Sequence, residues 1–513
     1  MNVASDVDTV HEDHLVEWSA GKFCTFIVAV LATALPLISF SPQSTRWHGG
    51  KALIVDIVGL ILLAFVACGV ELQKFKDSKF QPQLPLAISF AAFLTWSCVT
   101  FAWSASPHFS IVAVASDLSA AGFVCTIAIF ARVQRRLLLL VDSLSAAVLI
   151  ITSLGLIGVG SEAGRSGYLM SDGAADAAVS TTHDHELFSS LCMVLLPMML
   201  TVSLSPAKPK HRYLAQVALV FSGISLLVSQ GRSAWLGEFA ALTSFAVLKY
   251  VYRAKSVVPS RRKRRLKFSL NTYIPYAILA IGALVVLSQI PNLQGLQTRL
   301  GTLSSGVIHG KDLATEWRLH TWREDIKLVR SSPILGHGVG TYAIVQHTYT
   351  GKGQPKDYVL GYGPTLTDQA HDSYLQLAAD VGVPGLALWL CVLCSVLYVG
   401  INSLMGLSPG GLHQCLVIGA LSSVIGQTVD AIGNPAWQFS DICLYLWVIT
   451  GILLAASTGE IHHKHRRAVY SKDNEVSGQF RVNPVGILLA VVAAGWLIYW
   501  CVSFATYLPS PEL

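Results

Sequence analysis

The chain has 513 residues, of which 53% are hydrophobic and only 13% are charged. Soluble proteins carry roughly twice that charged fraction, so the composition excludes a soluble enzyme and indicates an integral membrane protein. The net charge of +6 comes from basic residues that cluster between apolar segments. This pattern is typical of cytoplasmic loops rather than of a nucleic-acid surface, so nucleic acid is not an expected partner.

Apolar runs long enough to cross a bilayer recur along most of the chain. They predict an all-α, polytopic membrane protein with about 13 transmembrane helices and a long helical periplasmic loop. The predicted domains are a cytoplasmic tail at 1–21, transmembrane helices 1–9 within 22–289, the periplasmic loop at 290–372 and transmembrane helices 10–13 within 373–513. The individual runs lie near 22–40, 52–71, 85–104, 111–131, 137–158, 186–204, 214–230, 233–251, 272–289, 384–401, 412–429, 437–456 and 484–505.

The basic residues predict the orientation of these spans. If the N-terminus is cytoplasmic, most basic loops lie inside, as the positive-inside rule requires, and the C-terminus lies outside. Short outward loops then contain only Arg46, Lys51 and Arg165. The polybasic segment 260–267 lies between two spans and favours a cytoplasmic anchor to anionic lipid. The acidic tail lacks the basic start of a signal peptide, which argues against a cleaved leader.

The cysteines and possible metal ligands predict neither disulfides nor a metal site. All ten cysteines lie within or beside apolar runs, so a disulfide framework is not expected. Cys391 and Cys394 form a CxxC inside an apolar run and are interpreted as packing residues. No spaced set of His, Cys or acidic residues suggests a metal, although separated ligands leave that question open.

The long outward connection, from Pro291 to Asp372, is the segment most expected to carry function, because long loops in compact proteins usually do. One apolar stripe within it predicts a helix that ends at Ser331, Ser332 and Pro333 and lies flat on the membrane surface. The three alternating glycines in 333–342 predict a tight turn rather than a phosphate cradle, because neither a strand nor a Lys-Ser pair flanks them. The stripe consists of Leu313, Trp317, Trp322, Ile326 and Val329.

The ionisable residues within the spans lie near their outward ends under this topology. This one-sided distribution favours a polar chamber open to the outside over an ion pathway, which would need charges throughout the membrane. The alternative is that each residue lies near an interface, where a charge costs little. Asp142, on the cytoplasmic side, is the main exception. The outward set is Asp56, Asp117, Arg232, Glu238, Asp380, Asp430 and Asp441.

Two short clusters carry candidate chemistry. Arg232 follows a glycine at the start of a span, where an arginine is either a functional cation or an anchor at the interface. His371 is predicted to open a short helix that Gly382 and Pro384 end. A histidine in the first turn of a helix faces the positive end of the dipole, which favours the neutral imidazole that a general base requires.

At these residues the sequence resembles the bacterial O-antigen ligase and O-antigen polymerase superfamily, whose members are membrane glycosyltransferases. The resemblance covers roughly 85–456 and is most specific in its later half. The THDHE sequence at 182–186 departs from the family, which usually has an Asn there, so any role for His183 or His185 stays open. The matching pieces are FAWSASP at 101–107, GRSAW at 231–235, Arg318 to Trp322, PILGHGVGTY at 333–342 and HDSYLQLAADVGVPGLALWL at 371–390.

The resemblance implies an all-helical membrane glycosyltransferase fold of the GT-C type that uses an undecaprenyl-diphosphate-linked glycan as donor and neither metal nor cofactor. It implies a bacterial inner-membrane protein with a periplasmic active site. By motif match His371 takes the role of general base, and Arg232 and Arg318 take the role of diphosphate ligands. The chemistry agrees, because transfer needs a base for the acceptor hydroxyl and cations for the leaving diphosphate. Possible supporting residues are Trp322, Arg323, Asp372 and Tyr374.

The predicted reaction is therefore transfer of a polysaccharide from undecaprenyl diphosphate to an acceptor sugar, with lipid A core as the first choice of acceptor. An O-antigen or exopolysaccharide polymerase of the same superfamily is the alternative. A lipid-linked oligosaccharide flippase or transporter is a third reading, but such proteins usually show internal repeats and broken helices at mid-membrane. The sequence does not identify the glycan, the stereochemistry or the oligomeric state.

Overall fold

The computed structural model describes residues 21–38, 50–69, 83–158, 180–182, 184–254, 313–350 and 369–469. Within these residues all regular secondary structure is helical, in agreement with the predicted fold class. The α-helices are α1 (Gly21–Leu37, ending in a 3₁₀ turn), α2 (Gly50–Gly69), α3 (Leu84–Thr100), α4 (Pro107–Phe130), α5 (Gln134–Gly158), α6 (His185–Ser203), α7 (Pro209–Val228), α8 (Arg232–Ala254), α9 (Leu313–Ser331), α10 (Tyr342–Thr350), α11 (Ser373–Leu404), α12 (Leu412–Asp430) and α13 (Ser440–Val469).

Seven of the described helices are long and apolar enough to cross a membrane, judged by length and composition. They are α3, α4, α5, α6, α7, α11 and α12. The predicted spans at 272–289 and 484–505 lie outside the described residues. The predicted number of about 13 spans, their orientation and the domain boundaries therefore stay predictions.

Helices α6 and α12 form the centre of the bundle. Both are buried along most of their length, whereas α3 lies at the periphery and is mostly exposed. Helix α6 packs against α7, α8 and α12, and α12 also packs against α8 and α13. The first residues of α6, including Glu186, are thus set against the neighbouring helices at one end of the bundle.

Asp142, the ionisable residue predicted on the cytoplasmic side, lies at the opposite end of the bundle from Glu186. Asp142 of α5 pairs with Nδ1 of His211, at the start of α7, over 2.8 Å. Arg136 lies in the first turn of α5, and Lys208 directly precedes α7. The Asp142 carboxylate therefore has a partner at its own end of the bundle, away from the cluster around Glu186.

Helix α9 confirms the predicted helix and its end near Ser331, but its buried face differs from the predicted stripe. Thr321, Asp325 and Leu328 are buried, whereas Ile326 is 40% exposed. The reason is a polar contact, because the Tyr342 hydroxyl of α10 donates to the Asp325 carboxylate over 2.5 Å. This hydrogen bond turns an acidic residue inward and an apolar one outward.

The first part of α11 corrects the predicted helix start. The helix begins at Ser373, and Asp372 is its N-cap, with its carboxylate accepting from the backbone N–H groups of Tyr374 and Leu375 over 2.9 Å each. His371 therefore precedes the cap and is not in the first helical turn. The predicted break is confirmed at Gly382, whose φ of 74° and ψ of 173° are not helical.

Candidate active site

The Glu186 carboxylate joins two of the candidate residues, Arg318 and His371. One oxygen forms an ion pair with the Arg318 guanidinium, and the other lies 3.2 Å from Nδ1 of His371. The side chains of Glu186 and Arg318 are each 15% exposed and that of His371 is 26% exposed. The cluster is therefore largely buried, but solvent still reaches part of each side chain. The structure thus brings together an arginine from the loop helix and a histidine from the segment before α11.

Two sets of hydrogen bonds fix the position of Glu186. Asp184 caps α6, and its carboxylate accepts from the backbone N–H of Glu186 over 2.7 Å. Asn434 donates its amide to the Glu186 carbonyl over 3.1 Å, and its own carbonyl accepts from the Ser373 hydroxyl over 2.9 Å. The segment after α12 therefore ties the start of α6 to the start of α11, which holds Glu186 beside His371.

The backbone around His371 is held on both sides. Its φ of 49° lies in the left-handed region, which is uncommon for a residue with a side chain. The preceding residue, Ala370, accepts a hydrogen bond from the Trp322 indole over 3.1 Å and donates one to the Gln376 side chain over 3.1 Å. Trp322 thereby positions the histidine segment, a supporting role through the backbone.

The protonation state of His371 follows from its neighbours. Burial and the positive charge of Arg318 lower the pKa of His371, while the Asp184 carboxylate opposes this effect. The lowered pKa favours the neutral imidazole predicted from the sequence, but the cause is burial and a cation rather than the helix dipole. Because Nδ1 faces an acceptor, the Nδ1–H tautomer fits this contact and leaves the lone pair on Nε2.

Arg232 lies at the N-terminus of α8, on the same end of the bundle as Glu186. The preceding Gly231 packs so closely on Ser189 that a Cβ there would lie 1.9 Å from the serine hydroxyl. Ser189 lies one turn after Glu186 and donates to its carbonyl over 2.8 Å. The backbone beside Arg232 is therefore next to the turn that carries Glu186.

The other supporting candidates differ in their surroundings. Asp372 is the helix cap described above, and burial raises the pKa of Asp372 to about 6 against the effect of its two backbone donors. The Tyr374 hydroxyl donates to the Thr428 carbonyl over 2.7 Å, which indicates a packing role. Arg323 is exposed on α9, away from the buried face of that helix.

The glycine turn encloses a carboxylate of the protein itself. Gly336, Gly338 and Gly340 all have positive φ, of 67°, 106° and 73°. The Tyr342 backbone N–H donates to the Asp380 carboxylate over 2.7 Å, and the N–H groups of Gly340 and Thr341 donate to the same side chain. Asp380 thus occupies the place where a phosphate would bind, which supports the interpretation of a structural turn.

The turn also joins two of the pieces that carry the family resemblance. The Ala105 backbone N–H donates to the His337 carbonyl over 2.9 Å, and the Ser110 hydroxyl donates to the Val339 carbonyl over 2.7 Å. Ala105 belongs to the FAWSASP segment and Asp380 to the segment that starts at His371. Pieces far apart in sequence therefore form one packed unit beside the Glu186 cluster.

A mostly apolar cavity of about 290 Å³ lies between α3, α4, α11, α12 and α13. Its lining includes Ala87, Ala121, Trp389 and Trp437. The Trp437 ring contacts the Trp389 ring, with centroids 5.5 Å apart, and the Tyr374 ring, with centroids 4.7 Å apart. Trp437 therefore links the cavity to Tyr374 in the first turn of α11.

No group of three or more His, Cys, Asp or Glu side chains that could hold a metal occurs among the described residues. The only cations near Glu186 for which the described part of the chain gives a contact are Arg318 and, when protonated, His371. Of the two histidines left open in the sequence, His185 begins α6, and His183 lies outside the described residues.

Glu186 is the residue that the sequence analysis missed. It lies in the THDHE segment, noted only for its departure from the family pattern, and at the end of a predicted span, where an acidic residue is unremarkable by itself. Its closeness to Arg318 and His371 depends on contacts across 132 and 185 residues of sequence. The one local signal is that His183, Asp184 and His185 directly precede Glu186 at the start of a predicted span.

Comparison with known families matches residues 217–390 to the family model Wzy_C, described as O-antigen ligase. The matched region includes Arg232, Arg318 and the whole segment 371–390 that starts at His371, but not Glu186. The match confirms the resemblance to the O-antigen ligase and polymerase superfamily found in the sequence. No curated protein matches the chain.

Proposed function

We propose that this chain, whose residues 217–390 match the O-antigen ligase family model, transfers a polysaccharide from undecaprenyl diphosphate to an acceptor sugar at the periplasmic face of a bacterial inner membrane. The observation that carries this proposal is the Arg318–Glu186–His371 cluster, because it pairs a fixed cation with a neutral imidazole. These are the two groups that the chemistry requires.

In the proposed reaction Nε2 of His371 takes the proton from the acceptor hydroxyl. The hydroxyl oxygen attacks the anomeric carbon of the donor sugar and forms the new glycosidic bond. The bond from that carbon to the diphosphate oxygen breaks, and undecaprenyl diphosphate leaves with the electron pair. Arg318, with Arg232 as the second proposed ligand, stabilises the leaving charge, since a guanidinium binds phosphate oxygens bidentately and keeps its proton.

The cavity between α3 and α13 supports a lipid-linked donor. It is lined mainly by apolar side chains of helices long enough to cross a membrane, a setting suited to a hydrocarbon chain rather than to a nucleotide sugar. The Tyr374–Trp437 contact brings it close to the helix that follows His371. We assign the cavity to the isoprenoid chain of the donor, with the diphosphate at the arginines.

The family description favours a ligase, with lipid A core as the proposed acceptor, and the polymerase of the same superfamily is its alternative. Deletion of the gene followed by analysis of envelope glycans distinguishes them. Accumulation of long lipid-linked polymer with bare acceptor is expected for a ligase. Single lipid-linked repeats would identify a polymerase, and intermediates retained in the cytoplasm would identify a transporter and refute the proposal.

A further inference from the structure

The Glu186 carboxylate is shared between two partners that the proposed reaction needs to separate. In the structure one oxygen is held by Arg318 and the other lies 3.2 Å from His371. A donor diphosphate that binds Arg318 competes with Glu186 for the same guanidinium donors. Binding of the donor must therefore change the ion pair.

We propose that Glu186 is an ionic latch that the donor diphosphate opens. In the free protein the latch holds Arg318 against Glu186. In the donor complex the diphosphate replaces Glu186 on Arg318, and the freed carboxylate then interacts with His371 alone and makes it a stronger base. This inference rests on the proposed function, because it assigns the diphosphate to Arg318 and the base role to His371.

The charges around His371 set the direction of the change. Helix α6 contributes Asp184 and Glu186, α9 contributes Arg318, and the start of α11 contributes Asp372. Of these described groups only Arg318 is cationic, and together with burial it lowers the pKa of His371. A diphosphate on Arg318 offsets that charge and leaves the carboxylates facing the imidazole, so the pKa of His371 rises towards neutral pH.

The latch makes base strength depend on the donor. A general base works best when its pKa lies near the operating pH, and a diphosphate on Arg318 moves the pKa of His371 towards this range. Before the donor arrives, the imidazole is a weak base, and the acceptor hydroxyl keeps its proton. The arrangement thereby orders the reaction, with donor binding before deprotonation of the acceptor.

The first test measures the pKa of His371 in the full-length protein by NMR of its histidine ring protons, with and without undecaprenyl diphosphate. This probe carries no glycan, so the measurement does not require transfer. The resonance that disappears in His371→Asn assigns the signal. We expect the pKa of His371 to rise by about one unit or more on binding, and an unchanged or lowered value would overturn the latch.

The second test compares Glu186→Gln with Glu324→Gln. The first change keeps the shape of the side chain but removes the charge that holds Arg318, whereas Glu324 pairs with Lys327 on α9 over 2.7 Å and serves as the matched control. We expect Glu186→Gln to bind undecaprenyl diphosphate as tightly as the unchanged protein or more tightly, and to lose on the order of tenfold or more in turnover. A purely structural role predicts weaker binding as well.

Failure of the proposed function and failure of the latch give different results. If the proposed function is wrong, the unchanged protein transfers no glycan, yet the pKa of His371 still reports whether a diphosphate opens the latch. If only the latch is wrong, the unchanged protein transfers glycan while the pKa of His371 stays constant or Glu186→Gln loses donor affinity. Should Glu186→Gln fail to fold, the measurement on the unchanged protein still decides the proposal.

Discussion

Replacement of Arg318 by lysine tests whether this residue binds a diphosphate or only anchors α9. Lysine keeps the positive charge but replaces a planar fork of donors by a single ammonium group, so it loses bidentate binding. The site is 15% exposed, which limits the water that would otherwise replace the missing donor. One charge-assisted hydrogen bond contributes about 1.5–3 kcal/mol, and a factor of ten corresponds to about 1.4 kcal/mol. We therefore expect Arg318→Lys to lose about 10- to 150-fold in transfer.

The assay uses purified protein with a lipid-linked donor and measures both donor affinity and transfer rate. Arg330→Lys is the matched control, since it makes the same change at an exposed position of the same helix. We expect it to transfer glycan at the unchanged rate. Equal activity of both lysine variants would refute the assignment of Arg318 to the diphosphate.

The other predictions concern the base, the metal, the cavity and a buried acid. His371→Ala should insert and bind donor normally but lose roughly a hundredfold or more in turnover; near-normal turnover would move the base role to another group. Activity should survive a strong chelator, and loss that an added divalent ion restores would reveal a metal site. Ala87→Trp, which fills the cavity, should weaken binding of a long-chain donor but not of a short-chain one, whereas the exposed Ala91→Trp on the same helix should change neither. Burial raises the pKa of Asp325 to about 7, although its hydrogen bond with Tyr342 opposes this effect. The folded state therefore binds a proton more tightly than the unfolded state, and the free energy of unfolding should fall as pH rises from about 4 to 7. Asp325→Asn should flatten this dependence of the unfolding temperature, and an equally steep curve would contradict it.

Local patterns in the sequence predicted well the elements of the long connection before α11. The apolar spacing predicted α9 and its end, the alternating glycines predicted the turn, and Gly382 predicted the break in α11. In each case the signal is a property of neighbouring residues, namely helical periodicity or backbone freedom. Such signals need no knowledge of the tertiary structure.

The details that failed depend on contacts between distant residues. Ile326 is exposed while Asp325 bonds to Tyr342, and burial and Arg318, rather than a helix dipole, lower the pKa of His371. Glu186 lies in a different helix from either of its partners. Motif matching identified Arg318 and His371 as candidates, but only the packing of the start of α6 against its neighbours shows which carboxylate they share.

The bonds between the glycine turn and α11 affect how readily the backbone of the turn opens. The N–H groups of His337, Gly338 and Tyr342 donate to acceptors on residues 379–380, at distances from 2.7 to 3.1 Å. These bonds tie a segment without regular secondary structure to the break in α11. The amide hydrogens of His337, Gly338 and Tyr342 should therefore exchange slowly with deuterated solvent while Asp380 keeps its place.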